Sequence, residues 1–306
     1  MKDIRIATAS MQSKLYQTQQ NLEVMHRLIR QASVSGVKIL CFPEMNITGY
    51  CNDESIWDVA ETIPGPSSNQ VLDFSQKYKI TILAGLPEKN QSNLFISHLI
   101  ASPFAPLGIY RKLYLGPPEK TVFSQGTTSP VFHDQELCVG IQLCYDAHFP
   151  ELTTLMTHLG LEILFIPHAS PNGTSEQKLS SWMRHLTARA YDNSVFVIAC
   201  NASGKNCAGL TFPALSLAIN PSGNVMQKSM SQSELMIVDL KTDDLDHVRS
   251  HEMRYFFANR RTDIYNSLMG TPFSGNIDKT DSADASHIPL SVIKPVTRRA
   301  GVTSKA

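Results

Sequence analysis

Apolar and polar positions along this chain follow two alternating rhythms. Residues 4–9 alternate with the two-residue period of a strand. In residues 21–32, Leu22, Met25, Ile29 and Ala32 recur at three- and four-residue steps, which predicts a helix with one apolar face. Residues 37–42 predict a short buried strand that ends in Pro43-Glu44. A short helix is expected at 71–78, and strands at 80–86 and 94–101 around a polar turn at 88–92. Residues 108–115 predict a further strand carrying the basic pair Arg111-Lys112.

The second half continues in the same manner. Residues 137–144 predict a strand ending on Cys144, and Leu152, Leu155, Met156 and Leu159 follow at helical spacing. A strand at 163–166 closes at Pro167-His168. Leu179, Trp182, Met183, Leu186 and Ala190 stripe one longer helix, and 195–200 is a wholly apolar strand. Strands at 215–219 and 235–240 are separated by a turn at 220–223, and 245–253 predicts a last short helix. From Gly270 onward the pattern gives way to Gly, Ser, Asp, Pro and Thr, the composition of an extended tail or of a segment draped over a partner subunit. No internal repeat is visible. Strands alternating with helices, then strands joined by turns, predict one α/β domain with a mixed sheet or a two-sheet sandwich.

Composition bounds the function classes. The 306 residues are 42% hydrophobic and 18% charged, with 27 Lys+Arg against 27 Asp+Glu. The balance gives no footprint for nucleic acid or an anionic membrane. No apolar run approaches the roughly 20 residues of a membrane helix. The six cysteines form no CxxC pair, and several lie in apolar strand-like runs; this is the usage of a reduced, cytoplasmic protein. The ten histidines form no HExxH or HxH pattern, so neither a metal site nor a cofactor is expected.

Three predicted strand ends carry reactive groups: Glu44, Lys112 and Cys144. A thiol, a carboxylate and an ammonium are the nucleophile, general base and oxyanion partner of acyl transfer. Cys144 sits between a strand and a Pro-containing helix start, a sharp turn near the positive end of a helix, where a thiolate is favoured. A rival reading pairs Cys144 with His148 or His168 as a Cys–His hydrolase.

The words around these residues identify a family. Phe42-Pro43-Glu44 with Thr48-Gly49-Tyr50, Tyr110-Arg111-Lys112, and Cys144-Tyr145-Asp146 with Phe149-Pro150-Glu151 resemble the three motifs of the nitrilase superfamily, the carbon–nitrogen hydrolases, in the family's order. The resemblance covers roughly residues 1–260. It implies a four-layer α-β-β-α sandwich, with the hydrolase domain at 1–269 and a C-terminal tail at 270–306. It implies a homodimer or larger homo-oligomer. It also implies a Glu44-Lys112-Cys144 triad, with Glu119 as the second glutamate near the lysine. Tyr145-Asp146 after the cysteine looks like the amidase and carbamoylase branches, whereas Trp-Glu marks the nitrilases.

The expected activity is hydrolysis of a small carboxamide through a cysteine thioester, or of an N-carbamoyl amine. A nitrilase, an acyltransferase and a non-catalytic binding subunit are the further alternatives. Tyr50, Tyr145, His168 and Trp182 are the pocket candidates, Tyr145 through its backbone N–H; core packing is the competing role for Trp182. His148 stands where many relatives carry Arg, which argues against a carboxylate-bearing substrate. Ala214 stands where relatives often have Gly.

Overall fold

Strand β1 (Ile4–Ser10) shows how the layers arise. Its alternate side chains enter two different cores: Ile6 packs with residues of both sheets, while Ala7 and Ala9 face helices. The next strand repeats the division, with Ile39 and Cys41 on one side and Leu40 and Phe42 on the other. A strand buried on both faces needs apolar residues at every position, which explains its unbroken hydrophobic runs.

The computed structural model describes residues 1–134, 137–206, 208–232, 234–261 and 264. The first half contains β1, α1 (Thr18–Val34), β2 (Ile39–Cys41), α2 (Pro66–Tyr78), β3 (Thr81–Asn90), β4 (Asn93–Ala101) and β5 (Gly108–Arg111). The second contains β6 (Val131–Asp134), β7 (Leu137–Ile141), α3 (Pro150–His158), β8 (Ile163–His168), α4 (Ser175–Met183), α5 (Leu186–Asn193) and β9 (Phe196–Asn201). It continues through β10 (Gly204–Lys205), β11 (Thr211–Phe212), β12 (Ser216–Ile219), β13 (Val225–Ser229), β14 (Glu234–Leu240) and α6 (Thr242–Arg249).

Two six-stranded mixed sheets result, in the orders β14-β1-β2-β3-β4-β5 and β13-β12-β9-β8-β7-β6. In each, three parallel strands are flanked by antiparallel ones: β1-β2-β3 in the first sheet and β7-β8-β9 in the second. The two halves therefore share one topological plan without a detectable sequence repeat. The sheets pack face to face, with β1 against β9 and β12. Helices α1 and α2 cover the outer face of the first sheet through Leu22, Met25, Leu28, Ile29 and Val71. Helices α3, α4 and α5 associate on the side of the second. This is the expected α-β-β-α sandwich. Residues Met1–Arg260 form one compact unit. The expected boundary at 269/270 and the tail at 270–306 lie outside the described residues.

Several local expectations need correction. The helical stripe at 179–190 is two helices, α4 and α5, because the backbone leaves helical geometry at His185 (φ −128°, ψ −36°). Met183, expected to be buried, is therefore exposed. Helix α3 is short, so Leu152 and Met156 alone of its apolar stripe are buried, while Leu155 and Leu159 stay exposed. The polar stretch 88–92 is mostly strand, and β3 runs to Asn90. Glu88 is buried there because Arg111 pairs with both its oxygens (2.8 and 2.5 Å) and Ser97 donates to it at 2.6 Å. Strands β6 and β13 were not expected; alternation is weak in both.

Phe165 lies in the inter-sheet core and is fully buried. Phe165→Ala should lower stability by about 3–5 kcal/mol, measured as a reduced urea midpoint at unchanged slope.

Candidate active site

Glu44 and Cys144 lie beyond the carboxyl ends of parallel strands, as in other α/β sheets, and Lys112 lies beyond the end of β5, an antiparallel edge strand. Glu44 follows β2. The next residue, Met45, has a left-handed backbone (φ 51°), so the chain turns sharply after the glutamate. That turn rests on β3, where Gly85 N–H donates to Asn46 Oδ1 (2.9 Å) and Ile47 N–H donates to Gly85 O (3.0 Å). A Cβ at position 85 would stand 2.5 Å from Met45 N. Glycine is needed there so that the Glu44 loop can lie on the strand.

Lys112 follows β5 and is held by its own N–H, which donates to Ile96 O (2.9 Å). Its Nζ donates to Glu44 Oε1 and to Glu119 Oε1, each at 2.8 Å. Glu119 is fixed from the other side, since Oε2 accepts Gly116 N–H (2.7 Å) and Oε1 accepts the Tyr50 hydroxyl (3.0 Å). Glu44 Oε2 accepts Ala169 N–H (3.0 Å), a donor just beyond β8. The three charged groups are nearly sealed from solvent: Glu44 is 2% exposed, Lys112 1% and Glu119 4%.

One ammonium between two buried carboxylates leaves a net negative charge. Burial pushes Glu44 up to about 7; Lys112 pulls against this and the charge of Glu119 adds to it. For Lys112, burial disfavours the cation, but the charges of Glu44, Glu119 and Cys144 outweigh it and hold the ammonium.

Cys144 opens a short 3-10 turn, Cys144–His148, with a left-handed backbone of its own (φ 45°). Such a conformation is strained for a residue with a Cβ and persists only when its surroundings enforce it. Asp146 supplies much of that enforcement. Its carboxylate accepts Leu143 N–H (2.8 Å), Tyr114 N–H (2.7 Å) and the Tyr110 hydroxyl (2.8 Å). Arg189 Nε adds a bond to Ala147 O at 3.1 Å. Burial pushes Asp146 up to about 6, opposed by Lys112 and by these donors.

The thiol keeps partial exposure. Its electrostatic neighbours are Glu44, Lys112, Glu119 and Lys178, so groups from both sheets act on one sulfur. Here the expectation of a favoured thiolate fails. Burial comes first and Glu44 second in pushing the thiol well above its ordinary value, and Lys112 and Lys178 offset this in part. The resting group is the thiol, and nucleophilic attack requires a base.

The pocket candidates divide. Tyr50 is joined to the cluster through Glu119. His168 is fully buried, its Nδ1 bonded to Ile166 O (2.7 Å) and its ring stacked on Trp182 at 4.2 Å. Burial holds His168 far below the usual histidine value, hence neutral. Trp182, itself buried, thus supports His168 as well as packing in the core. The Tyr145 ring turns toward His148 and Phe149, each at 5.5 Å. His148 is exposed and lies against His185 at 4.4 Å. Among the described residues neither His148 nor His168 hydrogen-bonds Cys144, which leaves the Cys–His reading without its pair. Ala214, at the unusual position, is simply buried.

Sequence reasoning gave no role to Asp146, Tyr110, Arg189 or Lys178. Asp146 and Tyr110 stand inside the quoted motifs, so the signal was present; their partners were not. Lys178 lies in α4, far from any motif.

Comparison with known proteins places the chain in a family. The chain is 28% identical over 273 residues to a probable nitrilase of Schizosaccharomyces pombe, covering 86% of this chain and 98% of that one. It is 28% identical over 276 residues to the omega-amidase NIT2 of Bos taurus, covering 87% and 98%. Among solved structures, an amidase from Nesterenkonia sp. superimposes with a TM-score of 0.75 at 22% identity, over 87% of this chain and 96% of that one, a likeness of fold. The carbon-nitrogen hydrolase family model matches residues 5–250. The chain belongs to the carbon–nitrogen hydrolases, enzymes that act on carbon–nitrogen bonds other than peptide bonds.

Proposed function

We propose that this protein hydrolyses a small carboxamide through a thioester on Cys144, with Glu44 as general base, Lys112 as oxyanion partner and Glu119 as the group that positions water. The observation that carries the reading is the buried ammonium bonded to two carboxylates beside a thiol that needs deprotonation. Glu44 accepts the thiol proton and the sulfur attacks the carbonyl carbon. The charge that grows on oxygen meets Lys112 and the Tyr145 N–H. Protonated Glu44 then gives its proton to the departing nitrogen, since an amide anion is too basic to leave alone. Glu44 next takes a proton from water, which attacks the thioester; the acid is released as the C–S bond breaks, and Glu44 returns the proton to the Cys144 sulfur.

Two features favour this assignment. A carboxyl group near 7 can both take and give a proton at neutral pH, the property required of a group used in both directions. Lys112 is held by its ion pairs before substrate arrives, so little reorganisation accompanies charge development. Relatives support the substrate class. Structures of the Nesterenkonia amidase include complexes with acrylamide and butyramide, and variants of it carry the acetamide moiety of fluoroacetamide at their active-site cysteine.

An N-carbamoyl amine is the second reading, favoured by a 28% identical N-carbamoylputrescine amidase of Arabidopsis thaliana. It would use the same steps and release the amine, carbon dioxide and ammonia. The proposal includes a cytoplasmic homodimer, for which exposed Leu155 on α3, Leu159 just after it and Tyr191 on α5 offer apolar surface.

Ammonia release from a panel of amides, with intact-mass detection of an acyl adduct, tests the reading. Cys144→Ala should abolish the adduct and lower turnover on the order of 10⁴-fold or more. Glu44→Gln should cost about 10²- to 10⁴-fold; retention of most activity would return the reaction to a histidine. The pH dependence follows from Glu44. Its carboxylate form is the active base, so kcat/KM should fall as pH drops through about 7. Glu119→Gln removes a charge that raises Glu44, so the same limb should move to lower pH in that variant. Tyr110→Phe takes one donor from Asp146 and should lower kcat/KM about 10- to 100-fold by misplacing Cys144, with stability reduced by about 1.5–3 kcal/mol.

A further inference from the structure

Lys178 is a cation near Cys144 that the proposed chemistry does not use. It extends from α4 to the loop after β8, where its Nζ donates to Ser170 Oγ (2.8 Å) and Pro171 O (3.1 Å). Ser170 adjoins Ala169, whose N–H holds Glu44. The side chain of Asn201 fixes that loop, accepting Ser170 N–H at 2.8 Å and donating to Ser170 O at 3.0 Å. The ammonium is thus mounted on a braced loop next to the proposed general base. It is half-buried, and among the described residues no carboxylate pairs with it and its third N–H has no acceptor. Cys144, once ionised, favours the ammonium, and the charge of Lys178 acts on Cys144 and His168.

A half-buried ammonium without a counter-ion carries a desolvation penalty that an anion can offset. Lys112, by contrast, already has its charge compensated by two carboxylates, and its remaining donor faces the oxyanion in the proposed reaction. His148 is exposed, and burial with the charge of Arg189 lowers its tendency to protonate, so it does not supply a competing cation. Arg189 is committed to Ala147 O beneath the nucleophile turn.

We infer that Lys178 is a specificity-determining residue that binds a carboxylate on the substrate, so that the amide cleaved at Cys144 belongs to an anionic molecule. The inference rests on the amide-hydrolase reading and narrows its substrate class. It also reverses the expectation drawn from His148: the cation missing from the nucleophile turn arrives from a different helix.

The test compares kcat/KM for matched pairs, one member bearing a carboxylate and the other its methyl ester. One set consists of monoamides of dicarboxylic acids of increasing length, the other of N-carbamoyl amino acids; the set that is turned over tells on which side of the scissile bond the carboxylate lies. The wild-type enzyme should favour the carboxylate member by about 10- to 100-fold, the range of a charge-assisted hydrogen bond. Lys178→Met should remove most of that ratio, chiefly through KM for the anionic member, and Lys178→Arg should restore part of it. Using the ratio cancels any effect of Lys178 on the thiol, which both members share. A wild-type preference for the esters, or a ratio unchanged in Lys178→Met, overturns the inference while leaving amide hydrolysis intact. Absence of turnover of every amide, with the Cys144→Ala protein as blank, overturns both.

Discussion

A single ammonium, buried and bonded to two carboxylates, is the constraint on which the site depends. Lys112 without Glu44 and Glu119 would be an uncompensated charge in a nearly sealed interior, and breaking such a pair typically costs about 3–5 kcal/mol. With them, the cluster holds three reactive groups in one arrangement, anchored further by backbone donors from Gly116 and Ala169. Its net charge is negative, and that residual charge has consequences. It holds Lys112 cationic, adds to the rise of Glu44 and helps push the thiol of Cys144 up.

The proposed nucleophile, Cys144, is consequently not pre-ionised. Many reactive cysteines sit in positive surroundings that stabilise the thiolate. Here burial and two carboxylates work in the opposite direction, and Lys112 and Lys178 oppose them in part. A thiol beside a carboxyl group near 7 suits proton transfer coupled to attack. The same environment protects the sulfur between turnovers, since it is the thiolate that reacts with oxidants.

The sandwich explains how groups so distant in the chain are brought together. Both sheets follow one plan, and each contributes a strand end to the space between their rims: β2 and β5 from the first, β7 and β8 from the second. Strained turns at Met45 and Cys144 send Glu44 and the sulfur into that space, each stabilised by contacts made elsewhere. For Cys144 the support is Asp146, which accepts Leu143 N–H within the turn and ties that turn to β5 through the Tyr110 hydroxyl and to the following loop through Tyr114 N–H.

The sequence by itself determined the element types of the buried strands, the three chemical words and the residues they contain. Unbroken apolar runs and amphipathic spacing are local properties, so 4–9, 21–32 and 163–166 were legible, as was Glu44, Lys112, Cys144 and Glu119 through the motif resemblance. Tertiary structure decided what depends on distance and burial. Glu88 reads as a turn residue until Arg111 and Ser97 meet it inside the sheet. Leu155 and Met183 read as core until the length and break of their helices turn them to solvent. The protonation state of Cys144 could not be read from its turn, because it is set by desolvation and by charges many residues away. Lys178 carried no local signal at all, since its interest lies in being near Cys144 and having no carboxylate partner among the described residues, and both are properties of folded space.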